Sequence, residues 1–468
     1  MLTDPQVAET LRQAHAALKR DELPRVWEMC NAVLNQEPDK PEALYLMGAA
    51  LRNMGNLGVA YQVLRRALAQ DQRQINLWMQ YAATLHDLNR WDEAREALTV
   101  ANKMFPADDM PIANISATYV QQGDWREAIN WANKALDINA DNYIARISRN
   151  FAYLSLGRWK DGWNDAQWLY GKHLAVRVYN PPELEEPTWD GSKGKTVVVQ
   201  ADQGVGDIIM FSQCLPQMAA DCKEVILECA PRLVNMMRRN FPMVTVEGTL
   251  KSETQNWSQD RVGTDRQIDA HVHISNLGYF YRNSDGDFPR KAFIQPDAEC
   301  VEKWRELLSK HPKPWVGIAW RGGIQNTQAH IRSMDLQDLA PVIRRVHKNG
   351  GTVFDLSYQD NRHEISLWNV GNGEQVVHQV MNDAEFDATL SFIAAMDEIV
   401  TVTTTVAHCC GAMGKHAHVM VPSVPQWRYA YRCGDGMIWY PKDSVVLHRQ
   451  AHGESGWGPT VARVTKAL

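Results

Sequence analysis

The chain has 468 residues, 45% of them hydrophobic and 22% charged, with a formal net charge of −6. At roughly 150 residues per domain, that length predicts about three domains, with apolar material for several cores. The acidic balance supplies no overall basic field, which excludes nucleic acid and anionic membrane as general partners.

The opening stretch Met1–Arg12 carries acids and no apolar signal-peptide core. No apolar run approaches the roughly 18 residues a membrane span needs, so no transmembrane segment is expected. The eight cysteines, Cys30, Cys214, Cys222, Cys229, Cys300, Cys409, Cys410 and Cys433, form no Cys-x-x-Cys pair and no zinc-type spacing. They are expected to be reduced thiols of a cytoplasmic protein, and no metal is assigned.

The first third of the chain repeats. Trp91, Trp125 and Trp159 recur at an interval of 34 residues, as do Ala60, Ala94 and Ala128, with Gly162 continuing the series. Leu64, Leu98, Ala132 and Ala166 keep the same interval, and so do Ala67, Ala101 and Ala135. Gly55, Asn89, Gly123 and Gly157 mark one turn in each unit. This is the pattern of the tetratricopeptide repeat, a helical hairpin with small residues where its two helices touch. Units are predicted at 7–40, 41–74, 75–108 and 109–142, with a divergent one from 143 to about 170. The first is degenerate, with Val26 where later units have Ala. Stacked hairpins form a superhelix whose concave groove binds protein or peptide. The alternative use of the array is packing against the next domain or pairing into a homo-oligomer.

Residues 171–194 break the helical pattern with Asn180-Pro181-Pro182, Glu185-Glu186-Pro187 and Trp189-Asp190-Gly191, and are predicted to be a linker. Its acids Glu183, Glu185 and Glu186 are expected to face solvent. From Lys195 the period changes. Strands are predicted at Val197–Val199, Val225–Leu227 and Val244–Val246, with helices at Ile208–Ala219 and Pro231–Asn240. The polar stretch 249–290 carries no assignment. His271 and His273, two apart in it, are expected to be surface histidines. A helix at Cys300–Lys310 precedes a second connector, His311-Pro312-Lys313-Pro314. A fresh series follows, with strands at Val316–Trp320, Val353–Leu356, Ile399–Val402 and His418–Val421. Its helices are predicted at Leu336–His347, Ala384–Ala395 and Val406–Gly414. Strands alternating with helices imply parallel sheets, one in residues 195–312 and one in 313–468, facing each other across a cleft.

Two stretches carry chemistry. Gln203-Gly204-Val205-Gly206-Asp207 joins the first strand to its helix, so backbone N–H groups and a positive helix end stand beside the Asp207 carboxylate. A plain tight turn is the alternative. Thr403-Thr404-Thr405-Val406-Ala407-His408 joins a strand to a helix of small residues, where a pyrophosphate can approach the backbone. A well-capped helix with His408 facing the core is the competing reading.

These motifs, with Trp189-Asp190-Gly191, Gly317-Ile318-Ala319-Trp320, Arg332-Ser333, Gly411-Ala412, Gly414-Lys415, Trp427-Arg428, Trp439-Tyr440-Pro441 and Arg449-Gln450, fall in an order that resembles a known family. It comprises bacterial tetratricopeptide-repeat proteins whose glycosyltransferase domain is similar to the lipopolysaccharide heptosyltransferases (family nine). The resemblance implies an all-α repeat superhelix followed by a GT-B fold of two Rossmann-like halves. It implies an inverting, metal-independent glycosyltransferase that uses a nucleotide-sugar as substrate and needs no cofactor. Asp207 would be the general base, on the loop of Gln203, Gly204 and Gly206. Arg332 would neutralise phosphate, and Thr404, Thr405, Val406, Ala407 and His408 would cradle the diphosphate. Trp320, Trp427 and Tyr429 would wall the nucleobase or sugar unless they are core aromatics. The acceptor would be a protein, such as a surface or flagellar subunit, recruited by the repeats. Transfer to a glycan or lipopolysaccharide and a non-catalytic nucleotide-sugar-binding adaptor are the two alternatives. One departure stands out: the family has an acid before the first cradle hydroxyl, and this chain has Thr403.

Overall fold

The computed structural model describes residues 3–172, 186–201, 204–248, 267–323, 329–379, 385–454 and 456–468. Two compact units divide it, Met1–Ala152 and Tyr153–Leu468.

The first unit is helical throughout. Four hairpins run α1 (Asp4–Lys19) with α2 (Leu23–Leu34), α3 (Pro41–Asn53) with α4 (Leu57–Gln70), α5 (Ile75–Asp87) with α6 (Trp91–Met104), and α7 (Met110–Gln122) with α8 (Trp125–Ile138). Helix α9 (Tyr143–Ser155) opens a fifth and crosses into the second unit. The 34-residue registers are where the helices touch. Ala60, Ala94 and Ala128, and likewise Ala67, Ala101 and Ala135, are all fully buried. On α3, a Cβ at Gly48 would lie 2.5 Å from Leu64 Cγ of α4, so the two backbones approach closer than any larger residue allows. The degenerate first hairpin fills the equivalent space with Val26, also fully buried.

The turns obey the same period. Gly55, Asn89, Gly123 and Gly157 all hold a left-handed backbone, with φ of 80, 58, 75 and 73°. Asp21, one period before Gly55, joins them at φ 59°, so the first hairpin keeps the turn even though its sequence lacks the glycine. Asp and Asn are the side chains that tolerate this region best.

The second unit begins with α10 (Trp159–Lys172). A first sheet follows, built from β1 (Thr196–Gln200), α11 (Val205–Ser212), α12 (Leu215–Asp221), β2 (Glu224–Cys229), α13 (Val234–Asn240), β3 (Thr245–Gly248), β4 (Ala270–His273), α14 (Leu277–Tyr281) and α15 (Ala298–Leu308). Its strands are parallel in the order β3-β2-β1-β4. The second sheet opens with β5 (Trp315–Ala319), α16 (Ala329–Arg332), α17 (Ala340–Lys348), β6 (Thr352–Asp355), α18 (Arg362–Gly371) and β7 (Val376–Val377). It continues through α19 (Phe386–Ala395), β8 (Glu398–Val402), α20 (Thr405–Met413), β9 (Ala417–Val421), α21 (Trp427–Ala430), β10 (Val445–Arg449) and α22 (Gly458–Ala467). All six strands are parallel, ordered β10-β9-β8-β5-β6-β7. In each sheet the chain reverses its direction of winding beside the first strand, next to β1 and between β5 and β8. Beyond the carboxyl ends of strands at such a reversal is where open parallel sheets take ligands.

Four expectations are corrected. The helix foreseen at Ile208–Ala219 is two helices, because Pro216 restarts the chain at α12. The helix foreseen from Leu336 begins at Ala340 after a 3-10 turn. The repeat region foreseen to 170 gives up its last helix to the second unit: Trp159 and Trp163 of α10 are buried there, and Trp163 Nε1 donates to the Arg282 carbonyl at 2.6 Å. His273 is buried, not at the surface, because the unassigned stretch contains β4, which pairs with β1. Much of the 171–194 linker lies outside the described residues, including Glu183 and Glu185. Among those described, no helix is long and apolar enough to cross a membrane.

Left-handed turns give a direct check. At Gly55 a Cβ would meet nothing within 4 Å, so Gly55→Ala tests backbone strain alone. It should destabilise the first unit by about 1 kcal/mol, whereas Asn89→Gly should be neutral or mildly stabilising. Urea unfolding followed by helical circular dichroism measures both.

Candidate functional site

The site grows from two helix starts. In the first sheet, β1 delivers α11 with Gly204 as its N-cap and Asp207 in its first turn. In the second, β8 delivers α20, capped by Thr404, whose hydroxyl accepts from Val406 N–H at 3.2 Å. The two helices cross at Gly206. A Cβ there would lie 2.8 Å from His408 Cδ2 and 3.5 Å from Thr405 Cα, so glycine permits the crossing. The His408 ring cannot yield, because Nδ1 is held by Tyr440 Oη at 2.7 Å and Nε2 by Tyr429 Oη at 2.9 Å. Gly206 is thus a packing residue. Gly204 has ordinary extended geometry, φ −63°, and open space where a side chain would stand.

Around this crossing lie the charges. Arg428, on α21, donates from Nε to Asp207 Oδ1. Its guanidinium lies 4.7 Å from the ring centre of Trp427. Trp427 is buried against Trp163 and Phe211 at 5.6 and 6.4 Å between ring centres, and an aromatic wall thereby fixes the start of α21. Arg332, closing α16, donates from Nε to Thr403 Oγ1 at 3.1 Å and from Nη2 to the Thr403 carbonyl. Burial lowers its pKa, and arginine side chains keep their proton in proteins. His408 is pushed down to about 4, first by burial, against the opposing pull of Asp207 and with help from Arg428 and Arg332. At neutral pH the described groups are therefore two guanidiniums, one carboxylate and a neutral imidazole. Cationic side chains beside a helix N-terminus suit an anion.

The sequence-predicted residues divide sharply. Asp207, Arg332, Thr404, Thr405 and His408 come together. Of the cradle, Thr404, Val406, Ala407 and His408 are buried, and only Thr405 keeps partial exposure. His408 is spent on two tyrosines, so its role in this geometry is to position α20 against α21. Trp320 takes the core-aromatic alternative: it is fully buried in the second sheet's core, donating to Glu364 Oε2 at 3.0 Å. Trp427 and Tyr429 are buried as well. Gln203 lies outside the described residues.

Beside these findings stand the comparisons. Residues 27–101, from α2 to α6, match the family described as anaphase-promoting complex, cyclosome, subunit 3. The first unit is a tetratricopeptide-repeat array. Solved structures similar to it include a tetratricopeptide repeat protein from Parabacteroides merdae (17% identity, TM-score 0.32, 36% of this chain and 68% of that one). The Thermus thermophilus repeat protein TTC0263 is another (20% identity, TM-score 0.33, 36% of this chain and 93% of that one). A relative spanning both units is the protein FlbA of Caulobacter vibrioides, 25% identical over 459 residues, 92% of this chain and 73% of that protein.

Outside the repeat array, sequence reading missed Tyr429, Tyr440 and Arg428 as partners of His408 and Asp207. Arg428 stood in the Trp427-Arg428 motif, but nothing in its spacing joins it to a residue 221 positions earlier. It also missed Tyr358, which follows β6, is 59% exposed as a residue and donates its hydroxyl to the Gly323 carbonyl at 3.2 Å.

The buried histidine gives a pH signature. Its folded pKa lies below the ordinary 6.5, so the unfolded chain binds the extra proton. The His408 contribution is complete above about pH 6.5 and is lost as the pH falls toward 4, to a total of about 3 kcal/mol. His408→Gln should flatten the fall in stability between pH 7 and 5. The difference between the two urea-denaturation series measures it.

Proposed function

We propose that the second unit is a glycosyltransferase that moves a sugar from a nucleotide-sugar donor to an acceptor hydroxyl, with the repeat array recruiting a protein acceptor. One observation carries the reading: Asp207 from the first sheet meets Arg428, and beside it Arg332 and the α20 N-terminus, from the second. Both sets lie beyond the carboxyl ends of parallel strands, as in the GT-B arrangement that the sequence resembles.

In this reading the donor diphosphate lies against Arg428, Arg332 and the first turn of α20, where Thr405 is the accessible hydroxyl. Thr403, neutral where the resembling family has an acid, accepts from Arg332 without placing a negative charge beside the phosphate. Tyr358 supplies an open aromatic face for the nucleobase, the part that Trp320 does not play. The acceptor oxygen attacks the anomeric carbon while the bond from that carbon to the phosphate oxygen breaks. Asp207 takes the hydroxyl proton, and the guanidiniums and helix end take the leaving-group charge.

The Asp207–Arg428 pair adds a condition. With Arg428 donating to its Oδ1, Asp207 acts as base in this reading only after diphosphate has drawn Arg428 away. Donor binding then arms the base.

The same pair favours a second reading, a non-catalytic adaptor in which Arg428 and Arg332 bind the nucleotide and Asp207 only balances charge. Turnover decides between the two. Asp207→Asn should abolish nucleoside-diphosphate release from the cognate nucleotide-sugar yet bind the diphosphate as well as or better than the wild type, since it removes a negative charge. Arg428→Ala should weaken diphosphate binding by about 10- to 100-fold, the loss of one charged hydrogen bond. Full turnover by the Asp207 variant removes it from the role of base. Binding without turnover by the wild type, across a panel of nucleotide-sugars and acceptors, establishes the adaptor.

A further inference from the structure

The opposite end of the second sheet carries a second constellation, independent of the transferase reading. Glu398 opens β8, and His416 immediately precedes β9, which contains His418. Val400 pairs with His418 across the two strands, so Glu398, two residues earlier, stands beside His416 on the same face. Met420 pairs with His448 of β10, which puts the fourth residue on that face too. Glu398, His416 and His418 lie at the amino ends of β8 and β9, with His448 of β10 one step further along. Thr403 follows the carboxyl end of β8, about 16 Å away at the rise of a five-residue strand.

We propose that Glu398, His416 and His418 bind a divalent transition-metal ion of the zinc class, with His448 orienting His418. One donor atom from each of the three lies within 4.8 Å of the others. His416 Nδ1 is 3.1 Å from Glu398 Oε2, and the His416 and His418 rings stand edge to face at 4.8 Å between centres. Zinc bonds of 2.0–2.2 Å put tetrahedral ligand atoms roughly 3.3 Å apart, so the set must tighten by up to about 1.5 Å. Its exposures allow that. His418 is buried, while His416 and Glu398 are over a third exposed and able to turn toward it.

The contact behind His418 favours a site over a surface ion pair. His418 Nδ1 lies 2.9 Å from His448 Nε2, a hydrogen bond in which one ring carries the proton. With Nδ1 of His418 as donor, its Nε2 presents a lone pair in a fixed direction. Metal-binding histidines are commonly held this way, the far nitrogen donating to an outer partner. Two imidazoles and one carboxylate suit zinc and its neighbours better than calcium or magnesium, which take oxygen ligands. Three protein ligands leave a fourth position for water.

The test uses the full chain, freed of metal by a chelator and titrated with Zn²⁺ or Co²⁺. The wild type should bind one equivalent with a rise in melting temperature. The Co²⁺ form should show a visible d–d band without thiolate charge transfer, which separates this site from the eight cysteines. His416→Ala and Glu398→Gln, both at partly exposed positions that leave the core intact, should each weaken binding at least tenfold. His448→Gln should weaken it by about 10- to 100-fold, the usual cost of losing an outer partner. Absence of binding by the wild type at tens of micromolar metal overturns the proposal, and so does unchanged affinity in the His416 and Glu398 variants.

Discussion

Helices α11 and α20 cross with no room for a side chain at Gly206, and the ring that occupies the space, His408, is clamped by hydrogen bonds at both nitrogens. That crossing fixes the rest of the second unit. It brings the carboxyl end of β1 beside the carboxyl end of β8, and so sets an acid from one sheet against two guanidiniums from the other. Neutral imidazole is the form that fits, because a charged ring would sit unsolvated beside Arg332 and Arg428. The tyrosines that satisfy the histidine belong to α21 and to the stretch before β10, so the clamp also fastens the segment carrying Arg428.

The aromatic residues make this clamp rigid. Trp159 and Trp163 of α10, Phe211 of α11, Trp427 of α21 and Trp439 form one wall of rings behind the charged groups. Buried aromatic pairs carry both apolar area and a preferred geometry, which suits a support that must hold its angle. This explains why the final repeat-like helix belongs with the α/β unit: its tryptophans face that core. Arg428 lays its guanidinium over the Trp427 ring while donating to Asp207, so the wall sets where that guanidinium stands.

Much of the architecture was legible because it rests on short-range rules. The 34-residue interval marks alanines that must be small where helices touch and turn residues that must tolerate a left-handed backbone. Both hold through the first hairpin, where Asp21 and Val26 replace the usual residues. The principal strands of both sheets were legible from their buried β-branched runs. The strand β4 was not, because Ala270-His271-Val272-His273 reads as polar while its burial comes from neighbours far along the chain. The candidate site was half legible for the same reason. Asp207 and Thr404 announce themselves by standing at helix starts. Trp320 left both readings open because a tryptophan after a strand has the same spelling in a cleft and in a core. Arg428 and the two tyrosines on His408 depend on long-range packing that no local pattern encodes.

The account turns on Arg428 changing partners. A crystal structure of the full chain with a bound nucleoside diphosphate tests this most directly. The account predicts phosphate oxygens within hydrogen-bond reach of the Arg428 guanidinium and an Asp207 carboxylate left open toward the sugar position. A nucleotide bound elsewhere, or an Arg428 still seated on Asp207 with phosphate beside it, would contradict it.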